Sequence, residues 1–139
     1  MKKNILFIIP SLEVGGGEKS LVSLLNQMDY SKYNVDLFLI KKEGLFLKMI
    51  PPEVNVLNTP NNLKIFLEGL IDSIKDYLKQ KKLMLVYSRI MFTLINRFYK
   101  DKVRAEQMSW KYMSKAIGIL DKKYDVAIGF LEKTSNYLC

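Results

Sequence analysis

Residues 4–20 read NILFIIPSLEVGGGEKS, and this stretch decides the fold. Asn4–Ile9 is a continuous apolar run rich in Ile, which suits a strand buried on both faces, as in a parallel sheet. Pro10–Gly17 follows as a loop that closes on three glycines. From Glu18 to Met28 the residues Leu21, Val22, Leu24, Leu25 and Met28 recur at helical spacing, leaving one buried face. Three consecutive glycines remove Cβ atoms where a ligand would approach the backbone. The helix start turns free N–H groups and its positive dipole end toward the same loop. The combination implies an anion site suited to phosphate or a sugar diphosphate, at the carboxyl end of a strand where open α/β sheets bind ligands. The competing interpretation is a flexible turn that only lets the helix pack closely. A Walker A loop is excluded because Glu18 separates Gly17 from Lys19, and the dinucleotide fingerprint fails because position 20 is Ser20.

Working outward, Val35–Ile40 (VDLFLI) reads as a second strand, and Gly44 ends its polar exit. Leu45–Ile50 is ambiguous, and Pro51-Pro52 breaks any helix there. Val54–Leu57 reads as a short third strand and Asp125–Phe130 as another strand of the buried type. Between them lies a helical region, residues 61–124. Asn61 or Asn62 is a candidate cap for a helix carrying Leu63, Phe66, Leu67, Leu70, Ile71, Ile74, Tyr77 and Leu78 on one face. Leu83–Tyr99 is broadly apolar, with Arg89, Thr93, Asn96 and Arg97 near one narrow stripe. Asp101–Lys102 reads as a break, and Val103, Gln107, Trp110, Met113, Ile117 and Leu120 form a further helical face. The expected fold class is therefore α/β: a Rossmann-like parallel sheet with helices on both faces and a helical insertion.

The chain has 139 residues, enough for one domain that needs no metal or disulfide staple. Its one cysteine is Cys139, so a disulfide scaffold and a Cys-based zinc site are excluded. It has no His, which excludes every His-dependent triad, His–metal site and His general base within the chain. The net charge of +8 is uneven. Residues 61–124 hold fourteen Lys and Arg against six acids, whereas residues 1–60 hold seven Lys against six acids. A localised positive region implies a localised anionic partner or, more simply, solvated helices. The apolar run after Met1-Lys2-Lys3 is too short for a signal-peptide core, and Arg89, Asn96 and Arg97 interrupt Leu83–Tyr99 as a membrane span. A cytoplasmic location is expected.

The opening KKNILFIIPSLEVGGGEKSLVSLLNQM (residues 2–28), followed by YNVDLFLI (33–40), resembles the start of a glycosyltransferase family 4 enzyme. Members of that family begin with a hydrophobic strand, a loop ending in Gly-Gly-x-Glu, and a helix. Here Gly16, Gly17 and Glu18 fall at or beside those positions, and YDVAIGF at residues 124–130 resembles the strand that closes many such N-terminal halves. The resemblance is weak across the helical middle. It implies the N-terminal, acceptor-side half of a GT-B glycosyltransferase. Such an enzyme retains anomeric configuration as it moves a sugar from a nucleotide-sugar donor to a saccharide acceptor, often lipid-linked, in envelope or capsule polysaccharide synthesis. It implies no cofactor, the nucleotide sugar being a substrate, and no metal. Gly15, Gly16, Gly17, Glu18 and Lys19 are the implied substrate-binding residues. The family's paired glutamates (E-x7-E) belong to the C-terminal donor-binding half, and no two Glu here have that spacing. A His that family members often carry just after the strand matching 125–130 is also absent. The expectation is a truncated chain that is inactive without its donor-binding half, and no catalytic residue is assigned.

Residues 79–104 combine basic and apolar side chains, a pattern that fits binding to anionic lipid through Lys81, Lys82, Arg89, Arg97 and Lys100. The alternative is a helix buried by its neighbours with a basic edge in water. Two other classes compete with the transferase: a non-catalytic phosphate- or nucleotide-binding α/β domain, and a basic nucleic-acid-binding module using Trp110 and nearby aromatics. Nucleic acid is not the expected partner, because no nucleic-acid motif is present and the aromatics fall at helical core positions.

Overall fold

A computed structural model describes residues 1–120 and 122–130. Leu131–Cys139, which follow the strand expected at Asp125–Phe130, lie outside the described residues. The chain is α/β. Its elements are β1 (Lys3–Ile9), α1 (Gly16–Gln27), β2 (Tyr33–Leu39), a 3-10 turn at Leu45–Met49, β3 (Asn55–Val56), α2 (Asn61–Leu67), α3 (Leu70–Lys79), α4 (Leu83–Phe98), α5 (Lys102–Ile117) and β4 (Val126–Gly129). The strands form one parallel sheet in the order β3-β2-β1-β4, a Rossmann-like arrangement. Two compact units result: residues 1–59 with 120 onward, and the all-helical stretch Pro60–Ile119 inserted between β3 and β4.

In the sheet unit, alternation along the strands sets the core. Ile5, Phe7 and Ile9 pair in register with Val35, Leu37 and Leu39, and these six are buried with Leu21, Val22 and Leu25 of α1. Leu6, Ile8 and Phe38 on the other face are buried as well, as the unbroken apolar runs imply. The strand expected at Asp125–Phe130 forms, but it is not of the buried type: Val126 and Ala127 are exposed. Its position explains this, since β4 pairs with β1 alone and forms one edge of the sheet among the described residues. Asp125 fixes its register from both ends, accepting from the Asn4 amide at 2.7 Å and donating its own amide to the Asn4 carbonyl at 2.9 Å.

The loops leaving β1 and β2 are laced together. The Lys41 amide donates to the Pro10 carbonyl (2.8 Å), the Leu12 amide to the Glu43 carbonyl (2.9 Å) and the Phe46 amide to the Leu12 carbonyl (3.1 Å). Leu12 is fully buried and anchors the first loop in the core. Gly44 sits where they cross, at φ +126°, and a Cβ there would collide with the Leu12 backbone.

The helical unit departs from its expected outline at several points. Val103 and Gln107 of the expected α5 face are exposed, and α5 ends at Ile117, before Leu120. The amphipathic run from Leu63 to Leu78 is two helices, not one. The chain breaks at Glu68-Gly69, and the Ser73 hydroxyl holds the break by bonding to the carbonyls of Ile65 (2.6 Å) and Gly69 (2.8 Å). Neither Asn61 nor Asn62 is the cap of α2, which Pro60 precedes. Asp101 caps α5, its carboxylate accepting from the amides of Val103 and Arg104. Ala105, Ser109 and Ala116 are buried on α5 and Ser88 on α4; such small side chains let helices approach closely.

Candidate functional site

The glycine loop lies at the carboxyl edge of the sheet. β1 ends at Ile9, the chain crosses the edge, and α1 begins at Gly16, two residues earlier than the apolar spacing indicated. Gly15 is the N-cap, in extended conformation, and no side chain caps the helix. The first intrahelical bond runs from the Lys19 amide to the Gly15 carbonyl at 3.1 Å. The amides of Gly16, Gly17 and Glu18 therefore have no intrahelical acceptor. A Cβ built on Gly16 would meet nothing within 4 Å, so the space in front of this first turn is open.

Each candidate residue has a distinct place. Gly16 and Gly17 form the first turn, with Gly16 exposed. Lys19 is exposed. Glu18 folds back over Gly15, so that a Cβ on Gly15 would collide with its carboxylate. Gly15 is thus required for that side-chain position. The Glu18 carboxylate lies by the positive end of the α1 dipole, where an incoming anion would have to displace it.

Topology adds a second reason to look here. The chain runs β1, β2, β3 outward in one direction and then returns to place β4 on the other side of β1. The reversal lies between β1 and β4, and open α/β sheets bind ligands in the crevice beyond such a pair. Gly129 pairs with Ile8, and the Phe130 amide donates to the Ile8 carbonyl at 2.8 Å, which brings the exit of β4 beside the start of the glycine loop.

No family model, curated protein or solved structure matches this chain.

A second polar cluster was not anticipated. Asp36 lies within β2 with its side chain only 3% exposed. One carboxylate oxygen accepts from Lys122 Nζ (3.0 Å) and from the Tyr124 hydroxyl (2.6 Å), and the other accepts from Asn55 Nδ2 (3.1 Å). Burial pushes the Asp36 carboxyl up, but the bonds from Tyr124, Lys122 and Asn55 outweigh it and hold the group below the usual range. Burial and the bond to Asp36 push the Tyr124 phenol well above its ordinary value. The donors come from the approaches to β4 and from β3, so the carboxylate braces both strands to β2. They lie toward the amino ends of the strands, away from the glycine loop. A signal for it was present in the sequence: a lone Asp inside the apolar run VDLFLI needs a buried partner.

The basic residues expected to face a membrane divide. Lys81, Arg97 and Lys100 are exposed. Lys82 reaches back within its unit, donating to Asn62 Oδ1 at 2.7 Å and Gln80 Oε1 at 2.6 Å. Arg89 does not belong with the membrane-facing group. It turns inward, donating to the Glu68 carbonyl (2.9 Å) and Thr93 Oγ1 (2.7 Å), with its guanidinium 5.3 Å from the Phe66 ring centroid and 5.9 Å from that of Phe92. The cause is helical phase: Arg89 shares a face with the core contacts of α4, and its burial lowers its pKa. Among the described residues, no helix is long and apolar enough to cross a membrane.

Proposed function

We propose that this chain is the acceptor-side half of a retaining GT-B glycosyltransferase. In this reading it works in the cytoplasm against a second α/β half that binds a nucleotide sugar. The observation that carries the proposal is the open, uncapped first turn of α1 at Gly15–Lys19, set where the strand order reverses beside β4. Sugar transfer builds oxocarbenium character on the sugar as a nucleoside diphosphate departs. The leaving diphosphate needs N–H donors and positive potential in fixed positions. The amides of Gly16 and Gly17 supply such donors once the Glu18 carboxylate moves aside, and Lys19 follows Glu18 in the same turn. Glu18 acts in this scheme as an internal counter-anion that yields to the diphosphate. The acceptor saccharide occupies the same crevice.

Gly16 offers a clean test because it is exposed and a Cβ there would meet nothing within 4 Å. In the complete transferase, Gly16→Trp should lower transfer from donor to acceptor by roughly 100-fold or more, a loss comparable to that of one oxyanion donor. The melting temperature should stay within a few degrees of wild type. Unchanged turnover in a folded variant would remove the loop from the mechanism.

A second reading, a phosphate- or nucleotide-binding domain without catalysis, uses the same loop. It is favoured by one observation: the Glu18 carboxylate is folded back over Gly15 at its own helix start rather than extended toward a substrate. The two readings differ in the affinity expected of the chain by itself.

A further inference from the structure

The outer face of α4 carries an apolar ridge. Leu83, Tyr87, Ile90, Leu94 and Phe98 fall within about 80° of one another around the helix axis and extend along about 22 Å of it. All five are exposed, Leu83 at 68% and Phe98 at 72%. Arg89 is nearly opposite them, on the inward face. Exposed apolar residues in such an array mark a surface that something covers.

The surroundings of the ridge indicate what covers it. The sixteen residues of α4 include two Arg and no acid. The helical unit as a whole has twelve Lys and Arg against five Asp and Glu, a net of +7. The cations also sit at the ridge itself. Arg97 lies 6.0 Å from the ring of Phe98. On the other flank, Tyr87 meets Tyr112 of α5 edge-on at 6.2 Å, and Lys111 and Lys115 lie 5.1 and 5.9 Å from that same Tyr112 ring. Lys115 Nζ is also 3.8 Å from Met84 Sδ. A second copy of this face would bring these cations against their own kind. A nucleic acid would satisfy the cations but leave the Leu, Ile and Phe side chains without a partner. An apolar strip flanked by cations matches the boundary between anionic headgroups and acyl chains.

We infer that α4 docks the protein on anionic lipid, with Leu83, Tyr87, Ile90, Leu94 and Phe98 entering the interface and Arg97, Lys111 and Lys115 meeting the headgroups. This surface belongs to the helical unit and does not depend on the chemistry assigned to the glycine loop.

The test is co-sedimentation of the whole chain with phosphatidylcholine vesicles, with and without phosphatidylglycerol, at low and high salt. The chain should pellet with the anionic vesicles at low salt, largely stay in the supernatant with the neutral ones, and be released by high salt. Changing Arg97, Lys111 and Lys115 together to Gln should lower partitioning roughly 100-fold, at the strength typical of a basic residue near an anionic surface. Leu94→Glu, and independently Phe98→Asp, should lower it to the neutral-vesicle level while the circular dichroism spectrum is unchanged. Equal recovery in the supernatant with both vesicle types at low salt would overturn the inference. So would anionic-vesicle binding that neither apolar substitution weakens, or a dimer in solution that Leu94→Glu dissolves without any vesicle binding.

Discussion

Replacing Gly44 with valine should destabilise the sheet unit by about 3–5 kcal/mol, combining backbone strain with overpacking. Gly44 adopts φ +126°, a conformation a β-branched residue avoids, and its Cβ would be driven into the backbone of Leu12. No flexible side chain can yield there, because Leu12 is held by hydrogen bonds to Glu43 and Phe46 and by full burial. The Leu12 segment leads directly into the glycine loop, so the damage should spread to the candidate site. Urea denaturation checks this: the midpoint should fall sharply with little change in slope. A midpoint within experimental error of wild type would mean that the crossing of the two loops is not the constraint described.

The second large effect belongs to Asp36. Asp36→Ala should cost about 1–3 kcal/mol near neutral pH, because the half-buried Tyr124 hydroxyl loses a charged acceptor, whereas Asn55 is exposed and can turn to water. Lys122 adds less to the loss, since its side chain is 41% exposed and can turn to water. The pH dependence has a definite sign. The folded-state pKa of Asp36 is depressed, so its stabilisation is present above the unfolded value of about 4 and is lost as pH falls through the folded value. Wild type and Asp36→Ala should therefore differ most at neutral pH and converge in acid. Equal stabilities at pH 7 would show that the brace contributes nothing. A gap that widened in acid would show that the carboxylate is not the group holding it.

Much of the sheet was legible because its strands are strongly patterned. NILFII and VDLFLI have no polar interruption on the core face, and both formed strands that are buried on either side. The parallel order followed from the helix between them. β4 was less legible: VAIG looks as apolar as β1, yet edge position rather than composition sets its exposure. The break between α2 and α3 was hidden because helical spacing runs through it, and the Ser73 hydroxyl that fixes it acts over distances a periodicity cannot register. Arg89 shows the same limit in charge. Grouping basic residues by proximity in sequence placed it on the surface, whereas helical phase places it against Phe66 and Phe92. The glycine loop was the most legible part of the candidate site, since glycine's lack of a side chain is itself the signal. The folding back of Glu18 across Gly15 required coordinates.

Binding of a nucleotide sugar's diphosphate at the Gly15–Lys19 turn, as proposed, is open to a titration of the chain with a nucleoside diphosphate. Amide chemical shifts are the readout. Shifts are expected at Gly16, Gly17, Glu18 and Lys19, with smaller ones at Gly129 and Phe130, and an affinity near 1 mM, worth about 4 kcal/mol, as for a donor site of which the proposed reading gives this chain only a part. Micromolar binding at the same amides would favour the non-catalytic nucleotide-binding domain. Amides at the turn that stay unmoved at about 10 mM, a concentration well above that affinity, would contradict the account.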